Sequence, residues 1–153
     1  MIDFTINQYF HIALLGGILA TSGMTAILYI FDKAGLANGD MVRAVGSLIT
    51  KKYENALIPG LLLHYSSGIF FSIVYALAID LFNTVTVESS IAYGVAIGIF
   101  HGAVVALVLV VIIAEHHPLE KFQKTGIAVA VLHWAAHIVF GLIVGIIVGI
   151  TVI

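Results

Sequence analysis

Cysteine is absent from the 153-residue chain. That removes disulfide frameworks, thiolate metal sites, iron–sulfur clusters and cysteine nucleophiles together. Charge is nearly absent as well: Asp, Glu, Lys and Arg make up 9% of the residues, against roughly 25% in a soluble domain. With 61% hydrophobic residues, such a chain cannot cover a water-facing surface, and an integral membrane protein is the class that remains. Net charge is −2 without a basic tract, so nucleic acid is not an expected partner. The sequence contains no HExxH, no GxSxG and no P-loop, which leaves hydrolase and nucleotide chemistry without a motif. Length alone gives a single domain over 1–153. The opening MIDFTINQYF lacks a positive n-region and runs straight into a hydrophobic segment, so no cleaved signal is expected.

What the chain does have is long apolar runs. Stretches 11–31, 56–81, 91–114 and 126–153 each reach the ~20 residues needed to cross a bilayer. The only acidic residue inside them is Asp80. Backbone groups in lipid must bond internally, so all four are read as helices. The expected fold is an all-α integral membrane four-helix bundle, with the lipid bilayer as its first partner. Lys33, Arg43, Lys51 and Lys52 lie between the first two spans, and Lys121 and Lys124 between the last two. The positive-inside rule then makes both basic loops cytoplasmic and both termini extracytoplasmic. In the first basic loop, GDMVRAVGSLITKK puts Met41, Val45, Leu48 and Ile49 on one helical face. That pattern predicts a short amphipathic helix over 40–52 on the cytoplasmic membrane surface, with Asp40 as its N-cap. Pro59 falls in the first turn of the second span, where a missing N–H costs little.

The two halves carry a related pattern. LHYSSGIFFSIVYALAI and AHIVFGLIVGIIVGITV each hold a histidine followed four residues later by glycine, His64/Gly68 and His137/Gly141, and each follows a glycine-rich helix. Two repeated helical hairpins about an axis along the membrane normal would produce this.

With the orientation set, the helical rise converts position into depth from the cytoplasmic face. His133 falls at roughly 9 Å, His64 at 12 Å, His137 at 15 Å and His101 at 19 Å. Thr25 and Met24 come to about 10 Å and Thr21 to about 15 Å on the same rise. His133, His137, Gly141, Gly145 and Gly149 form one i,i+4 row, with Val144 off it, and Gly94, Gly98 and Gly102 accompany His101. Rows of small residues mark close helix approach, so the imidazoles are expected to point into the bundle.

Four inward imidazoles at His64, His101, His133 and His137 fit a copper or zinc site. They fit equally a bis-histidine haem b held by His64 and His137, with Gly68 and Gly141 making room for the ring and Lys51, Lys52, Lys121 and Lys124 receiving the propionates. No carboxylate reaches that depth, which argues against a di-iron carboxylate centre. The competing uses are interhelical hydrogen bonding and a proton or solute path lined by Thr21 and Thr25. AEHHPLEKF adds a second possible cation cluster, Glu115, His116, His117 and Glu120. His11 is expected at the headgroups, and the histidine spacing does not reproduce the boxes of membrane desaturases.

The segments GGILATSGMTAILYIFDKAGL, MVRAVGSLI, HYSSGIFFSIVYAL and AHIVFGLIVG together resemble small four-helix prokaryotic proteins of the YagU type. The resemblance implies residence in a prokaryotic inner membrane and brings no catalytic residues with it. Three functions follow as expectations. One is a small non-catalytic subunit of a larger membrane complex that binds haem or a transition metal. Another is a structural accessory subunit, joined to other subunits or to copies of itself through its glycine seams. The third is a small proton or solute channel or transporter.

Overall fold

The computed structural model describes residues 4–82, 86–123 and 126–151. Lys124 and the last two residues of the fourth expected span lie outside them. In chain order the helices are α1 (Ile6–Lys33), α2 (Met41–Thr50), α3 (Leu57–Asp80), α4 (Val87–Val108), α5 (Glu120–Gln123) and α6 (Ile127–Thr151). Helices α1, α3, α4 and α6 are each long and apolar enough to cross a membrane. A π turn at Leu109–Ile113 carries α4 on to His116, and another at Ile12–Gly16 interrupts α1. At that second turn Ser72 of α3 donates its hydroxyl to the Ile12 carbonyl, 2.8 Å away.

Two spans start earlier than their apolar pattern because polar capping boxes extend them. Thr5 accepts the Gln8 N–H while Gln8 Oε1 accepts the Thr5 N–H, so α1 begins at Ile6 and not at 11. Thr86 and Ser89 exchange the same pair of bonds ahead of α4. Reciprocal capping satisfies two of the orphan donors of a first turn.

Glycine contacts order the bundle. On the α4–α6 seam, a Cβ at Gly94 would collide with the Gly141 carbonyl, and one at Gly141 with the Gly94 carbonyl. The seam continues through Gly98 against the His137 carbonyl and through Gly145 against Ser90. On the α1–α3 seam, Gly17 faces the Ile69 backbone, and Gly68 faces Thr21 and the Gly17 carbonyl. The His-xxx-Gly helix of each half therefore meets the preceding spanning helix through its glycine. These glycine rows are occupied within the chain itself. Helix α6 also packs along α1, whereas α3 and α4 meet at few points. The main apolar core, with Leu28, Tyr75, Ile79, Val144 and Val148 fully buried, lies among α1, α3 and α6.

Helix α2 forms where expected but packs through a different face. Its buried residues are Ala44, Gly46 and Ser47, while Ile49 is exposed. The reason is a close crossing with the start of α3. A Cβ at Gly46 would strike the Ala56 carbonyl, and one at Gly60 the Val42 carbonyl. Asp40 occupies the N-cap position without capping. Its carboxylate instead accepts the Tyr53 hydroxyl at 2.7 Å and pairs with Lys121 at 3.4 Å.

Val144 is off the glycine row yet fully buried, because α6 packs against α1 and α4 on two adjoining faces. A lipid-side control on this helix is therefore Ile150, which is 54% exposed. Gly141→Leu should destabilise the protein by at least the ~1–3 kcal/mol typical of overpacking, because the obstructing atoms are backbone. Ile150→Leu should be silent. Thermal unfolding of both variants in detergent checks this, and equal midpoints would mean that the glycine face does not pack.

Candidate functional site

The histidines of α6 have their ring nitrogens sorted by the helix itself. Nδ1–H of His133 donates to the Val129 carbonyl at 2.8 Å, and Nδ1–H of His137 to the His133 carbonyl at 2.7 Å. A carbonyl can only accept, so both rings carry their proton on Nδ1 and leave Nε2 as a bare lone pair. On α3, His64 Nε2 lies 3.1 Å from Thr25 Oγ1. The Thr25 hydroxyl already donates to the Thr21 carbonyl at 2.7 Å, so the His64 proton sits on Nε2 and Nδ1 is bare. On α4, His101 Nδ1 is 3.1 Å from the hydroxyl of buried Tyr75. Each of these two partners can donate to the other, so His101 Nε2 is open to either role.

Three of these imidazoles share one space. His64, His101 and His137 line a cavity of about 180 Å³ together with Thr21, Met24, Met41, Ser67, Gly68, Phe71 and Phe140. Helices α1, α2, α3, α4 and α6 all contribute to its wall. The rings of His101 and His137 meet edge to face with centroids 4.8 Å apart, and the Phe71 ring lies 4.4 Å from that of His101. Thr21 Oγ1 is buried without a hydrogen-bond partner among the described residues. Thr25 supports His64 from behind.

His133 does not join them. It borders a separate cavity of about 20 Å³, lined also by Asn38, Asp40 and Met41, which is space for one water. Its Nε2 is buried and unpartnered among the described residues. The four-histidine slab thus divides three to one, because one helical turn carries His133 under α2. Among the described residues no three His, Asp or Glu side chains stand close enough to hold one ion. Histidines alone therefore do not close a coordination sphere here.

Of the glycines expected to make room for a haem ring, Gly141 abuts Gly94 and Gly98, whereas Gly68 abuts Thr21 and also lines the cavity. Of the lysines proposed for propionates, Lys51 donates to the Leu48 carbonyl at 2.6 Å and Lys121 belongs to the Asp40–Tyr53 cluster. Lys124 lies outside the described residues. Partial burial works against the Lys121 ammonium, but the bond to Tyr53 and the Asp40 carboxylate outweigh it and hold its pKa above the usual lysine range.

The AEHHPLE cluster does not converge on a cation. Glu115, His116 and Glu120 are exposed, whereas His117 is buried. Both of its nitrogens are engaged: Nδ1 accepts the Leu119 N–H at 3.0 Å, and Nε2–H donates to the Ala44 carbonyl of α2 at 3.0 Å. Gln123 donates to the His117 carbonyl, and the Phe122 ring packs against the imidazole. His117 is a clasp between the segment following α4 and helix α2. Trp134 is likewise placed, its indole N–H donating to the Ile99 carbonyl across the α4–α6 seam at 2.9 Å.

Sequence reasoning missed Tyr75 as the partner of His101 and Met24 and Met41 as cavity-lining residues. Tyr75 had a signal, a phenol one turn from Phe71 on a spanning helix. Met41 had none, since its position depends on how α2 docks. Comparison with family models, with curated proteins and with solved structures found no match for this chain.

His117→Ala leaves the Leu119 N–H without its partner and takes one donor from the Ala44 carbonyl, which keeps the Ser47 hydroxyl, at about 1–3 kcal/mol for an unsatisfied buried group. His116→Ala, at an exposed residue, should change little. Thermal unfolding should order the variants in that way, and a His117→Ala midpoint equal to wild type would contradict the clasp.

Proposed function

We propose that the chain is a small multi-pass membrane subunit that binds a transition-metal ion within the bilayer, at the cavity shared by His64, His101 and His137. The observation that carries this is the orientation of the rings. Metal-ligating histidines characteristically donate their second N–H to a carbonyl or another fixed acceptor, which sets the tautomer and aims the bare nitrogen. His137 meets that description on α6, and His64 is held in the complementary way by Thr25.

An ion suits the cavity better than haem b. About 180 Å³ lies below the roughly 300–1,000 Å³ of pockets for drug-sized ligands, and a haem is larger than most of those. Copper and zinc are the ions that imidazole favours in such a setting. The basic loops are inside and both termini outside, the membrane being a prokaryotic inner membrane. In this reading the chain is a non-catalytic subunit, and catalysis belongs to partner subunits. A second use, passage of a small polar solute, is favoured by the unpartnered Thr21 hydroxyl facing the same cavity.

The test is metal loading of the detergent-purified full chain with Cu(I), Zn(II) and Co(II), followed by elemental analysis and an optical spectrum. One ion per chain is expected without a haem spectrum. His137→Ala should lose most of the ion, and His11→Ala, at an exposed residue, should retain it. If no ion is retained at stoichiometry, metal binding fails and solute passage becomes the better account.

A further inference from the structure

Resting on that metal-binding reading, we infer that Met24 and Met41 complete the coordination set and that the resident ion is Cu(I). The chain has three methionines, Met1, Met24 and Met41, and the latter two line the same cavity as the three imidazoles. Met24 is buried on α1, whereas Met41 is the first residue of α2 and reaches the cavity because α2 crosses the start of α3 at Gly46 and Gly60. Two thioethers from different helices thus join imidazoles from three others around one small space.

Ligand chemistry narrows the ion. Imidazole serves zinc, copper, iron and nickel, whereas thioether sulfur is soft and selects Cu(I). Cu(I) also accepts low coordination numbers, in keeping with a cavity where, among the described residues, no three histidines stand close enough to hold one ion. His101 and His137, whose rings touch, together with one or both thioethers supply such a set.

Charge points the same way. No carboxylate lines the cavity among the described residues, so a bound ion keeps its full charge within a low-dielectric layer. The Born cost of burying an ion grows as the square of its charge, which makes a divalent ion about four times as expensive as a monovalent one. A site built from uncharged nitrogen and sulfur ligands therefore discriminates against Zn(II) and for Cu(I). Sulfur in a membrane core would otherwise be ordinary gap-filling, since methionine packs irregular spaces well. Convergence with three imidazoles on one uncharged cavity is what distinguishes this pair.

The test is an anaerobic competition titration of the full chain with Cu(I) against a chromophoric Cu(I) chelator, with Co(II) and Zn(II) titrated separately. The variants are wild type and Met24→Leu/Met41→Leu, a nearly volume-conserving exchange. Wild type should bind Cu(I) more tightly than either divalent ion, and the double variant should lose at least tenfold in Cu(I) affinity while its affinity for the divalent ions is unchanged. Undiminished Cu(I) affinity in the double variant would overturn the thioether assignment and leave the metal-binding reading of the cavity standing without it. Failure of wild type to bind any of the three ions would instead remove the metal-binding reading itself. Should the double variant not fold, copper K-edge absorption on Cu(I)-loaded wild type decides: sulfur neighbours support the assignment, and a purely nitrogen shell overturns it.

Discussion

The contact between α4 and α6 is the constraint on which the rest of the structure depends. Among lipid tails there is no hydrophobic force to join two apolar helices, and close backbone approach supplies the association through dispersion and short polar contacts. Gly94, Gly98, Gly102, Gly141, Gly145 and Gly149 permit that approach, each at a point where a Cβ would run into the opposite helix. The same approach carries Trp134 to the Ile99 carbonyl and brings the His101 ring against His137. A side chain in place of any glycine on this seam would therefore separate the two imidazoles as well as the two helices.

Around that seam, polar groups hold one another in fixed roles. A helix interior offers carbonyls already engaged in its own ladder, and His133 and His137 each donate a second bond to one of them. Thr25 does likewise through Thr21, and by doing so settles which nitrogen of His64 holds the proton. Unsatisfied polar groups are costly in this setting, so the bare nitrogen of His137 beside a cavity is the part of the arrangement that packing alone does not require. His133 shows the contrast, since its bare nitrogen meets only a water-sized space under α2.

The four spanning helices were legible because bilayer thickness fixes a length that composition alone can meet. Their starts were less so, since Thr5 with Gln8 and Thr86 with Ser89 extend two helices by polar capping that an apolar pattern does not register. Depth from the helical rise placed His64, His101, His133 and His137 in one layer, and three of them line one cavity. Rise gives height but not direction around the axis, so it could not tell that α2 would divide His133 from the others. The amphipathic pattern of α2 pointed to a membrane-facing role for Val45, Leu48 and Ile49. Small residues on the other side, Ala44, Gly46 and Ser47, won the packing because the Gly46–Gly60 crossing admits nothing larger. His117 read as one of four polar ligands in a row, and only the tertiary contact with Ala44 reveals a clasp. Asp40 was legible as the residue at a helix start but not as the partner of Tyr53 and Lys121, which lie far along the chain.

The most direct test lies in the proton positions on the buried imidazoles of His64, His133 and His137. Nitrogen-15 spectra of the histidine-labelled chain in bilayers, assigned through single His→Gln variants, distinguish Nδ1–H from Nε2–H rings. Nδ1–H with a bare Nε2 is expected for His133 and His137, and Nε2–H for His64. An Nε2–H ring at His137 would contradict this, since that ring could not donate to the His133 carbonyl and would have no lone pair on Nε2 to offer the cavity.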